Sequence, residues 1–141
     1  MSSSWNLKQG PNFVPAYQLS GTPFALTVAT VGTTVVKITF PSVTRWVSIS
    51  AKDATVKSLR IGFSENGVIT SPTANYYLLH LSDDGTTSNF TGHTERLEVR
   101  CKEIYIRAEA SDIDFVSVMA GLTPIESFPV LSASNGFKGV G

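Results

Sequence analysis

From residue 24 to residue 122, apolar and polar residues alternate, and no other feature constrains the fold of this chain as much. Successive side chains on a strand point to opposite faces, so a period of two marks strands that bury one face and wet the other. In Thr34–Phe40 the residues Val36, Ile38 and Phe40 form one face, and Lys37 and Thr39 the other. Arg45–Ala51 turns Val47, Ile49 and Ala51 inward against Trp46, Ser48 and Ser50. Ser58–Phe63 turns Leu59, Ile61 and Phe63 inward with Arg60 outward. Asn75–Leu81 places Tyr77, Leu79 and Leu81 on one side. Arg96–Cys101 buries Leu97, Val99 and Cys101. Glu103–Ala108 buries Ile104 and Ile106, with Tyr105 and Arg107 outside. Ala25–Val31 and Ile113–Leu122 open and close the series. Gly32-Thr33, Asn66-Gly67 and Asp83-Asp84-Gly85 read as turns; Asn-Gly is a strong hairpin signal because both residues tolerate positive φ.

About eight strands at this spacing predict an all-β domain, a single antiparallel β-sandwich of jelly-roll-like type. No stretch carries a sustained helical period, and Ala51–Ser58 holds one helical turn at most. The chain has 141 residues, enough to bury a core without disulfides.

Both ends differ from this middle. Residues 1–23 contain Pro11, Pro15 and Pro23, which fix φ and remove backbone donors, so neither a helix nor a central strand is expected there. Residues 123–141 have a similar composition. The predicted organisation is an extended N-terminal arm (1–23), a sandwich (24–122) and an extended C-terminal tail (123–141). Large rings dot both arms. Trp5, Phe13, Tyr17, Phe128 and Phe137 are candidate anchors for a neighbouring subunit, or they fold back over the edges of their own sandwich. On the first reading, removal of residues 1–22 leaves the core folded.

Charge argues against several functions. Charged residues make up 16% of the chain and the formal net charge is +0, so no electrostatic pull towards nucleic acid is expected. The N-terminus lacks the basic and apolar regions of a signal peptide, which predicts synthesis in the cytoplasm. No apolar run reaches the roughly 18 residues of a membrane-spanning helix.

A search for chemistry finds little. Cys101 alternates inward as an inert thiol, and a lone cysteine makes neither an intrachain disulfide nor a cysteine zinc site. His80 falls on a strand and His93 in a loop, in no metal-binding spacing. The acidic pairs at Asp83-Asp84 and Asp112-Ile113-Asp114 suit turns and lack the ligand spacing of a calcium loop. Asn89-Phe90-Thr91 matches a glycosylation sequon by chance. No catalytic residues, cofactor or metal are expected, and the chain is not read as an enzyme. Trp46, Tyr76 and Tyr105 are predicted on the outer faces of their strands, where rings in a row can stack on sugars.

Five segments carry a resemblance. They are Val14-Pro15-Ala16-Tyr17-Gln18-Leu19-Ser20-Gly21-Thr22-Pro23-Phe24, Phe40-Pro41-Ser42-Val43-Thr44-Arg45-Trp46, Leu59-Arg60-Ile61-Gly62-Phe63-Ser64-Glu65-Asn66-Gly67-Val68, Arg96-Leu97-Glu98-Val99-Arg100-Cys101-Lys102 and Val118-Met119-Ala120-Gly121-Leu122-Thr123. Together they resemble small structural proteins of marine tailed bacteriophages, including cyanophages, over most of residues 13–123. The resemblance implies a virion component made in the bacterial cytoplasm, a capsid decoration (cement) subunit that clamps neighbouring major capsid proteins. It also implies a homo-oligomer, for which a trimer is one arrangement. A tail or fibre accessory subunit shares this chemistry. The alternative from another class is a carbohydrate-binding module displayed on the virion towards host glycans. Neither membrane nor nucleic acid is expected as a partner.

Overall fold

The computed structural model describes residues 10–69, 75–83, 85 and 89–141. Among them nine strands form two antiparallel sheets. They are β1 (Thr22–Val31), β2 (Val36–Thr39), β3 (Thr44–Asp53), β4 (Ser58–Gly62), β5 (Tyr76–His80), β6 (Ser82–Asp83), β7 (Phe90–His93), β8 (Glu103–Ala108) and β9 (Ile113–Leu122). One sheet has the order β1-β9-β3-β7-β6 and the other β2-β8-β4-β5. With the two-residue β6 set aside, the chain changes sheet at every step except the β4–β5 pair. That is the jelly-roll order.

The alternation explains the core. Val47, Ile49 and Ala51 of β3 and Val116, Val118 and Ala120 of β9 face Ile38, Leu59, Ile61, Leu79, Ile104 and Ile106 of the other sheet, all buried. Each valine, leucine or isoleucine among them contributes about 1.5–3 kcal/mol on leaving water. Phe24 and Phe40 meet edge to face at one end, their centroids 5.1 Å apart. Pro23 is tolerated because β1 is an edge strand.

Several expectations are corrected. Asn66-Gly67 is not a hairpin turn but part of a short helix, α2 (Glu65–Ile69). A second helix, α1 (Val14–Gln18), interrupts the supposedly extended N-terminal arm; Pro15 sits in its first turn, where no intrahelical donor is lost. Arg96–Cys101 keeps its inward alternation but is no strand. Only Leu97 bridges, to Val47, while the Cys101 amide donates to the Thr44 hydroxyl oxygen. Phe90–His93, read as loop, is β7. Tyr77 shares its face with Leu79, yet it lies on the edge strand β5 and is 62% exposed.

A second, smaller core lies outside the sandwich. Ala16 of α1, Val43 and Ile125 are buried together, with Tyr17 and Phe128 packed against them. The Val43 amide donates to Ile125 O at 2.8 Å, and the Thr123 amide and hydroxyl both donate to Val43 O. Further on, a 3-10 turn (Ala133–Asn135) is capped by Ser132.

Candidate functional site

Both terminal segments return to their own domain. Arg45 Nε donates to Tyr17 O at 2.7 Å, and Tyr17 Oη donates to Pro11 O at 2.6 Å. Arg100 lies over the Tyr17 ring and donates to Pro11 O and Asn12 Oδ1, both at 3.1 Å. Tyr17 and Phe128 therefore serve the second core. Phe13 is 44% exposed, Phe137 is half-buried, and Trp5 lies outside the described residues. Ala16 is buried and the Gly21 backbone crosses that of Gly121, so a cut at residue 22 removes part of the packed domain rather than a free arm. At the other end, Ser64 Oγ bonds the Val140 carbonyl and accepts from the Gly67 amide at 2.9 Å. Gly67 carries no Cβ because the Val140 carbonyl occupies that place.

The three candidate stacking rings do not form one row. Trp46 lies on the outer face of the five-stranded sheet, whereas Tyr76 and Tyr105 lie on that of the four-stranded sheet. One side of the Trp46 indole is closed by Gly121, and Arg96 stands 5.9 Å over its ring. Tyr76 and Tyr105 flank Gly62 from either side in register. The space above Gly62 is filled by Val68 of α2, whose Cγ1 would stand 2.6 Å from a Cβ there. Arg60 Nη2 pairs with Glu109 Oε1 at 2.9 Å, and Arg60 also donates to Val68 O and lies 4.5 Å over the Tyr76 ring. Tyr105 donates to Glu103 Oε2 at 3.2 Å, and Glu103 pairs with Lys37 at 2.6 Å. These rings are held as structure.

The reactive side chains are not assembled. Cys101 is fully buried, and burial pushes its thiol up to about 11 against a weaker opposing bond from Thr44. His80 Nδ1 meets Ser58 Oγ at 2.9 Å on an exposed sheet face; no carboxylate completes a triad there among the described residues. His93 Nδ1 lies 3.4 Å from Thr94 O, on another sheet. Among the described residues no three metal-ligating side chains gather. Gly85 donates to Asp83 Oδ1 as in an Asx turn, while Asp84 lies outside the described residues. Asp53 is buried and accepts from the Thr55 amide and hydroxyl, Lys57 Nζ and the Asp114 amide, at 2.9–3.0 Å. No helix among these residues is long and apolar enough to cross a membrane.

Two surfaces remain. One is an open groove of about 720 Å³ where β5 faces the segment after β7, lined by Ile61, Phe63, Tyr76, Tyr77, Leu97 and Val99 with His93 and Glu95 at its polar side. The other is the outer face of the five-stranded sheet. Reading across β1, β9 and β3, its rows are Ala25–Met119–Ser48, Thr27–Ser117–Ser50 and Ala29–Phe115–Lys52. Phe115 and Met119 are 51% and 55% exposed. Lys52 is the only full charge in these rows, while the opposite face carries Lys37, Arg60, Glu103 and Arg107. Sequence alternation located the residues of this face, but only strand order reveals that small and uncharged residues from distant segments share it. No protein-family model, no curated protein and no solved structure matches the chain.

Proposed function

We propose that this chain is a structural subunit of a virus particle, which works by binding other proteins and not by catalysis. The unlike faces of the sandwich are the observation that carries this reading. The ion pairs Lys37–Glu103 and Arg60–Glu109 lie on the side of the four-stranded sheet, while the central rows of the five-stranded sheet present Phe115 and Met119 among small residues, with Lys52 as the one full charge in those rows. Exposed aromatic and methionine side chains with few charges are the composition of a surface that another protein covers. The resemblance to structural proteins of marine tailed phages supports a capsid decoration subunit on the major capsid protein, with a tail or fibre position as the other placement. Jelly rolls serve capsids and lectins alike, so the fold adds nothing to the choice between them.

Cryo-EM of purified particles from cells producing this protein tests the reading. Density for the sandwich on the icosahedral shell is expected. Density confined to tail or fibres moves the subunit there, and absence from particles overturns the virion reading.

The groove beside β5 favours a second reading, a glycan-binding module, because Tyr77 is exposed beside Tyr76, His93 and Glu95. Binding to a glycan array that Tyr77→Ala abolishes would establish it.

A further inference from the structure

We infer that the outer face of the five-stranded sheet is covered by the same face of a second copy of this chain. The inference rests on the reading of the protein as an assembly subunit and names the partner of that face.

Four observations carry it. The first is area. Three ten-residue strands and two short ones, at ~3.3 Å per residue and ~4.8 Å between strands, cover roughly 550 Å². A pair of such faces buries roughly 1,100 Å², above the ~1,000 Å² that a specific interface needs.

The second is relief. The Thr27–Ser117–Ser50 row is low, and the Met119 and Phe115 side chains rise on either side of it. Hollows of about 400 and 310 Å³ lie along that row, one beside Met119 and one beside Phe115. A two-fold axis lying in the contact plane and crossing the strands between Ser117 and Met119 lays Met119 of each copy over the low Thr27–Ser117–Ser50 row of the other, so that this side chain enters the hollows there.

The third is charge. The three central rows hold Lys52 as their only full charge, with Arg96 over Trp46 towards one end of the face, so two copies meet without opposing like charges at the centre.

The fourth is the edge. Copies could instead pair edge to edge along β1, but Pro23 lacks a donor and Thr30, with φ of 69°, breaks the run of the strand.

Sedimentation of the full chain tests this. The wild type should associate. Ser117→Arg, at the centre of the face, should weaken association by about 100-fold, because two like charges are brought together without partners. Thr39→Arg, on the four-stranded sheet, should leave it unchanged. Met119→Glu provides a second face variant, at an exposed position whose change spares the core, should Ser117→Arg fail to fold. A wild type that stays a 15.1 kDa monomer up to about 0.5 mM, or association untouched by the face variants, overturns the inference. Uptake of that monomer into particles would do so while leaving the virion reading intact, whereas an associating protein absent from particles would sink only the virion reading.

Discussion

The indole of Trp46 rests on the Cα of Gly121, so that a Cβ on Gly121 would stand 2.9 Å from both Cδ1 and Cε2 of the ring. Gly21 crowds the same glycine backbone, its own absent Cβ falling 2.5 Å from Gly121 Cα. Gly121→Ala must push the indole outward, because the backbone beneath it has no room to retreat. A loss of about 1–3 kcal/mol is expected, the usual cost of overpacking. Urea unfolding of the variant checks it, and an unchanged midpoint would mean that the ring moves freely.

Asp53 makes the fold sensitive to acid. Burial would raise its carboxyl, but bonds from Lys57, Thr55 and Asp114 together outweigh burial and hold it below its ordinary value of 3.8. The stability contributed by a depressed carboxyl is present above the unfolded value and is lost as pH falls through the folded one. The urea midpoint should therefore hold above about pH 4 and drop below it. Glu109, lowered chiefly by its bond from Arg60, adds to the same fall. In Asp53→Asn the midpoint should be lower at neutral pH and its acid slope shallower; an unaltered slope would assign the acid loss elsewhere.

Cys101 should resist thiol reagents in the native protein. Its sulfur is fully buried and its thiol is raised to about 11, so reactive thiolate forms only when the core opens. Labelling rates should follow global unfolding across a urea series. Cys101→Ala should cost only about 1 kcal/mol, because the volume removed is small. Rapid labelling without denaturant would contradict the packing.

Arg60 joins three elements, contacting Glu109 beyond β8, Tyr76 on β5 and the Val68 carbonyl on α2. Arg60→Ala should cost about 2–3 kcal/mol in thermal or urea unfolding, since the bonds are charge-assisted and the ring contact is lost with them. Arg60→Lys should recover only part of it, for an ammonium cannot bind both carboxylate oxygens in a planar fork. Full recovery by lysine would reduce the role to simple charge.

The alternation made most of the core legible. Ile38, Leu59, Ile61, Ile104 and Ile106 face inward as the sequence predicts. It misled where a side chain replaced a backbone partner. Residues 96–101 alternate as a strand would, but the Thr44 hydroxyl takes the Cys101 amide. Gly67 reads as a turn glycine because positive φ is the commoner use of Asn-Gly; here the missing Cβ makes room for the Val140 carbonyl, a contact made by residues more than seventy positions later. β7 was hidden because Thr-Gly-His gives little apolar signal, and Gly92 is small to fit against the His80 carbonyl. The outer sheet face was illegible for a related reason. Ala25, Ser48 and Met119 become neighbours only through strand order, which no local pattern encodes.

Within its sheet β1 pairs only with β9, and Thr27 faces Ser117 across 90 residues of chain. During synthesis the earliest strand must therefore wait for the latest. Contacts so distant in sequence impose a large loop-closure cost before they return any energy, and such topologies fold in milliseconds to seconds rather than microseconds. Throughout that interval Phe24 and Val28 have no sheet to cover them, and the nascent chain is most open to sticking to its neighbours. Pro23 and the kink at Thr30 then act as guards of an unfinished molecule, spoiling the strand as a template for other chains until its own partner arrives.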